Sequence, residues 1–117
     1  MRVQGMITNL QVDNLASAHA FFGTFLGLER VDMGLDWVTR YVDHESGSAV
    51  QLVTHDATAA EDSAMTVKVD DVDEAFAAAL AAGHEIVHPL VDEEWGIRRF
   101  FVRSPGGAVI NVAQHRA

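Results

Sequence analysis

Cysteine is absent from the 117 residues, which excludes disulfides and thiolate metal sites and accords with a reducing cytoplasm. Positive charge is scarce: 8 Lys and Arg stand against 17 Asp and Glu, for a net charge of −9. Such a chain repels phosphate backbones, so no nucleic-acid partner is expected. No apolar run reaches the ~18 residues of a membrane span, and the N-terminus lacks a charged-then-apolar leader pattern. A cytoplasmic protein without membrane contact is therefore expected. Nucleophilic catalysis finds no support either, because there is no Cys, no G-x-S-x-G and no ordered Ser/His/Asp set. Prolines number two, Pro89 and Pro105, so few strands or helices are forcibly broken.

What is present is a repeat. Val12-Asp13-Asn14-Leu15 is answered 57 positions later by Val69-Asp70-Asp71-Val72. Each opens an amphipathic stretch that closes on a glycine, Gly27 or Gly83. Gly47-Ser48-Ala49-Val50-Gln51-Leu52 is answered 60 positions on by Gly107-Ala108-Val109-Ile110-Asn111-Val112. The pattern reads as a duplicated fold with a ligand site where the halves face each other.

Alternation and capping predict the order βαβββ twice. Strands are expected over 5–12, as two short strands or one bent one within 29–43, and over 49–55, with a helix over 15–26. The second copy reads as strands over 64–69, 85–91, 97–103 and 108–114, with a helix from 71 or 72 to 82. Pro89 assigns the strand at 85–91 to a sheet edge or a bend. The fold class is α+β: two pseudo-symmetric βαβββ modules forming a curved mixed sheet around a cleft. One domain is expected over 1–117, with modules at about 1–56 and 63–117 and an acidic, small-residue linker at about 56–63.

Two motif sets then resemble a known family. Val12-Asp13-Asn14-Leu15 leading to Phe21-Phe22 and Phe25-Leu26-Gly27-Leu28 is similar to the first helix of the vicinal-oxygen-chelate superfamily. That superfamily takes in glyoxalase I, extradiol dioxygenases and bleomycin-resistance proteins. Trp95-Gly96-Ile97-Arg98 with Phe101-Val102-Arg103-Ser104-Pro105-Gly106-Gly107 resembles its W-G-x-R and D-P-x-G hairpin. Asn14 and Ser104 stand where the family usually has Asp, and both still permit a cap or turn hydrogen bond.

The resemblance implies four symmetric positions that hold a divalent ion in metal-dependent branches, and these fall on Ile7, Gln51, Ala64 and Asn111. Two of them carry no donor atom and two are neutral amides, a poor set for a first-row metal. No metal and no cofactor are therefore expected, as in the metal-free, bleomycin-resistance-like branch.

Ligand-binding candidates are Ile7, Trp37, Tyr41, Gln51, Trp95, Arg98, Phe100 and Asn111, and no catalytic residue is assigned. The acidic chain and its aromatics predict flat, weakly polar or cationic ligands. Arg98 has two readings, an ion pair or a reach to ligand oxygen. Arg99 and Arg103, alternating with Phe100 and Val102, read as solvated. Asp92-Glu93-Glu94 reads as a solvent-facing loop, and His84 and His88 as surface residues beside a helix end and a proline. His55 and His115, also 60 positions apart, fall on the same strand faces as Gln51 and Asn111 but about 13 Å further along. The expected function is metal-independent binding of a small organic ligand by a homodimer, such as antibiotic or metabolite sequestration. The alternative is a lyase, isomerase or dioxygenase-like enzyme acting on a small metabolite.

Overall fold

A computed structural model describes residues 1–116. It contains eight strands, β1(Val3–Gln11), β2(Glu29–Asp32), β3(Val38–Val42), β4(Ala49–Val53), β5(Met65–Val69), β6(Ile86–Asp92), β7(Ile97–Arg103) and β8(Val109–His115). Helix α1(Leu15–His19) follows β1 and α2(Val72–Ala81) follows β5. Two compact units result: residues 7–58, and residues 59–117 together with residues 1–6. We call them the first and second unit. The opening residues join the second unit through its helix start. Arg2 N–H donates to Asp70 Oδ1 (2.6 Å), and the terminal amine meets Glu74.

Within the first unit the strand order is β2-β3-β4-β1, and within the second it is β6-β7-β8-β5. Each has one parallel pair, β1 with β4 and β5 with β8, and antiparallel pairs elsewhere. The repeat in the sequence is thus a repeat of topology, and the fold is α+β. Pro89 lies in β6, at the sheet's end, where the ladder with β7 shifts register around His88. A residue without an N–H is tolerated there because no further strand requires it.

The two helices differ in quality. In α2 the cap is Asp71, which accepts from Glu74 N–H at 3.0 Å, and Val72, Ala75 and Ala79 are buried. They pack on Val69, Phe100 and Val112 to form the main core of the second unit. Asn14 caps α1 by accepting from Ser17 N–H at 3.0 Å, yet no residue from Leu15 to Phe25 is buried.

The helix expected over 15–26 is α-helical only to His19 and continues as a π-helix over Ala20–Phe25. The wider turn shows in Leu26 N–H, which donates to Phe21 O five residues back. Within this turn the His19 ring lies where a side chain at Gly23 would stand, so the position requires a glycine. Gly27, at φ 70°, then ends the helix in the left-handed region. Among the described residues no helix is long and apolar enough to cross a membrane.

Candidate functional site

In a strand, alternate side chains take opposite faces, so register sorts the candidates. In the first unit, Tyr41 hydrogen-bonds the His19 ring (Oη to Nδ1, 2.9 Å) and stacks near Phe22. Its face is therefore the one covered by the helix. Asn9, Gln51 and Arg40 are direct cross-strand partners, one position out of phase, and share the face without a helix. Ile7 stands on that same face of β1 by parity. Gln51 Nε2 donates to Asn9 Oδ1 (2.8 Å), while Arg40 Nε and Nη2 donate to Gln51 Oε1 (3.2 and 2.7 Å). The three residues make one polar row across three strands.

The second unit repeats the division. Phe100 is 1% exposed in the α2 core, edge-on to Phe76 at 5.1 Å between ring centres. Thr66, Asn111, Phe101 and His88 lie in register on the opposite face. Asn111 Nδ2 donates to Thr66 Oγ1 (3.2 Å), and Asn111 Oδ1 is buried without a hydrogen-bond partner among the described residues. A buried amide oxygen in that state favours any ligand or water that can donate to it. His88 is buried against Phe101, with ring centres 5.0 Å apart. Its Nδ1–H donates to Pro89 O at 2.7 Å, which places the neutral ring's acceptor on Nε2.

Beside Phe101, Arg99 pairs with Glu93 at 2.6 Å, their side chains only 4% and 7% exposed. Its guanidinium lies 5.1 Å from the Trp95 ring centre and 4.8 Å from that of Phe101.

Several sequence expectations change here. Arg99 is not solvated but buried in an ion pair, and Glu93 is not on a solvent-facing loop, because the turn after β6 folds its carboxylate onto that guanidinium. His88 is not a surface residue, since the bulged edge strand turns its ring onto Phe101. Arg103 bonds Glu61 and Glu85 at 2.8 and 3.1 Å rather than only water. Arg98 takes its ion-pair reading: it holds Asp73 at 2.8 Å and Asp92 at 3.1 Å, and the bonded guanidinium keeps the Asp73 carboxyl below its usual range. Arg98 lines an open hollow of about 520 Å³ with Asp73, Asp92 and Arg116, a surface already neutralised by its own ion pairs.

Of the eight sequence candidates, Ile7 and Gln51 share the helix-free face of the first unit, and Asn111 takes the helix-free face of the second. Trp95 touches that second face through Arg99. Tyr41 and Phe100 belong to helix-covered faces. Trp37, whose carbonyl accepts from Thr54 N–H at 3.0 Å, precedes β3. Sequence reasoning missed Asn9, Arg40, Thr66 and Phe101, because only cross-strand register shows them beside Gln51 or Asn111.

The four positions implied by the resemblance do not suit a divalent ion. Ile7 and Ala64 have no donor atom, and the oxygen of Gln51 already accepts from a cation, the Arg40 guanidinium. Among the described residues no three His, Asp or Glu side chains come together as a metal set.

No curated protein matches the sequence closely enough to report. Among solved structures, a glyoxalase/bleomycin resistance protein/dioxygenase superfamily member from Vibrio splendidus 12B01 superposes with TM-score 0.70 at 17% identity, over 97% of this chain and 99% of that one. A Legionella pneumophila protein described as an NAD-dependent benzaldehyde dehydrogenase gives TM-score 0.78 at 15% identity, over 96% and 100%. An uncharacterised Methanosarcina mazei protein gives 0.65 at 20%, over 98% and 94%. At such identities these structures speak for the fold alone. The sequence model of the Glyoxalase/Bleomycin resistance protein/Dioxygenase superfamily matches residues 5–112, and the chain belongs to that superfamily.

Proposed function

We propose that this chain is a metal-independent member of its superfamily that binds a small organic ligand on the helix-free faces of its units, in the manner of drug or metabolite sequestration. The observation that carries the reading is the Arg40–Gln51–Asn9 row. A guanidinium takes the oxygen that a metal would need, and repels any second cation placed beside it. The buried, unpartnered oxygen of Asn111 supports the same reading, because a ligand donor that reached it would satisfy it.

Protein purified from metal-supplemented medium should carry no stoichiometric Zn, Ni, Mn or Fe by elemental analysis. Near one metal per chain, lost in Gln51→Ala or Asn111→Ala, would defeat the proposal and promote a metalloenzyme.

A homodimer is part of the same proposal. On the helical stretch of the first unit Phe21 and Phe25 are 54% and 72% exposed, with Leu26 beside them also exposed. Clustered apolar exposure on this scale marks an interaction surface more often than a free one. Sedimentation at micromolar concentration should give about twice the 12.7 kDa chain mass, and Phe25→Glu should return it to monomer. A monomeric parent protein would remove this part of the proposal.

A further inference from the structure

Four of the seven arginines pair with carboxylates: Arg98 with Asp73 and Asp92, Arg99 with Glu93, Arg103 with Glu61 and Glu85, Arg116 with Asp73. Arg40 departs from the pattern. It is half-buried on the helix-free face of the first unit, and its hydrogen bonds go to one neutral atom, Gln51 Oε1. Among the described residues no carboxylate lies within ion-pair distance of it; the nearest acid on that face of β2, Glu29, meets His44 instead.

A guanidinium has five N–H donors. Gln51 engages the Nε and one Nη2 hydrogen, which leaves both Nη1 hydrogens and the outer Nη2 hydrogen. The Nη1 end of that remaining edge is not sealed inside the protein, since Nη1 is not among the buried unpartnered atoms. The edge has the two-pronged geometry that matches a carboxylate.

We propose that Arg40 is an anion-recognition residue and that the ligand of this face is an organic acid, its carboxylate on Arg40 and its apolar body over the neighbouring strand residues. Those residues are Val42 on β3 and Ala49 on β4, half-buried and on the same face by register, with Val38, Val53 and Ile7 buried beside them. Burial pushes the Arg40 guanidinium below its ordinary value, a cost of desolvation that an arriving anion offsets. The net charge of −9 predicts the opposite preference, for cations. Local geometry prevails, because charges farther off than a Debye length of about 8 Å are largely screened in physiological salt.

The inference rests on the small-ligand reading above, and the test separates the two. Wild type, Arg40→Gln and Arg40→Lys are titrated with 2-naphthoate, its uncharged isostere 2-naphthamide and inorganic phosphate, followed by ¹H–¹⁵N spectra that include the arginine Nε–H signals. Naphthoate should perturb the Arg40 Nε–H and bind wild type about tenfold to a hundredfold more tightly than naphthamide, the range for a hydrogen bond to a charged group. Arg40→Gln should erase that preference, with dispersed spectra certifying its fold, and Arg40→Lys should keep part of it. Equal binding of acid and amide, or a preference that survives Arg40→Gln, overturns the assignment of Arg40 and leaves the small-ligand reading standing. Phosphate binding as tightly as naphthoate overturns the organic-acid class. Binding of none of the three overturns both readings.

Discussion

Glu93→Gln should destabilise the folded chain by about 3–5 kcal/mol, the cost of breaking a buried ion pair from one side. For a domain of this size that lowers Tm by roughly 12–20 °C. Glu93 and Arg99 are nearly sealed from water and 2.6 Å apart, so the amide leaves the guanidinium charged with a weaker acceptor. Water cannot compensate at that depth.

The aromatic neighbours sharpen the expectation. Trp95 and Phe101 flank the Arg99 guanidinium and reward it only while it stays in place. Arg99→Met should cost a similar amount by stranding the Glu93 carboxylate. The double replacement Glu93→Leu with Arg99→Met should recover most of the loss, since apolar substitutes for a buried pair are often neutral or better. Chemical denaturation of the four proteins checks the cycle. A Glu93→Gln loss below about 1 kcal/mol would place this pair with exposed ones.

The alternation of residues in β1, the Asn14 and Asp71 caps and the closing glycines carried the order of elements in plain sight. So did the repeat, because each half must bury one helix on one sheet face with the same few residue types. What stayed hidden was the depth of charged groups. Arg99 alternates with Phe100 in sequence, which reads as in-and-out, but β7 has buried residues on both faces over Arg99, Phe100 and Phe101. A strand covered on both sides loses its polar alternation.

Arg40 was hidden for a different reason. Within Val38–Val42 it looks like a lone polar residue on an exposed face, and only the register with Gln51 and Asn9 gives it a neighbourhood. The π-helical turn was hidden as well, since the apolar spacing over 15–26 reads as one continuous α-helix and does not mark where the turn widens.

Phe100→Ala should cost about 3–5 kcal/mol of stability and leave ligand affinity unchanged. The sequence offered Phe100 as an aromatic lining for the site, yet its ring is fully enclosed by Val69, Val72, Ala75, Ala79 and Val112. Removing it opens a cavity against α2, whose small alanines have little side chain with which to fill it. The edge-on contact with Phe76 is lost too, worth roughly 0.5–1.5 kcal/mol beyond area. Phe101, one residue on, faces Asn111 and Arg99 instead, so Phe101→Leu should weaken ligand binding at a smaller cost in stability. Urea denaturation, and titration of both variants with 2-naphthamide followed at the Asn111 side-chain amide signal, separate the roles. If Phe100→Ala weakens the ligand while the urea midpoint stays at the wild-type value, the two faces of β7 have been assigned the wrong way round.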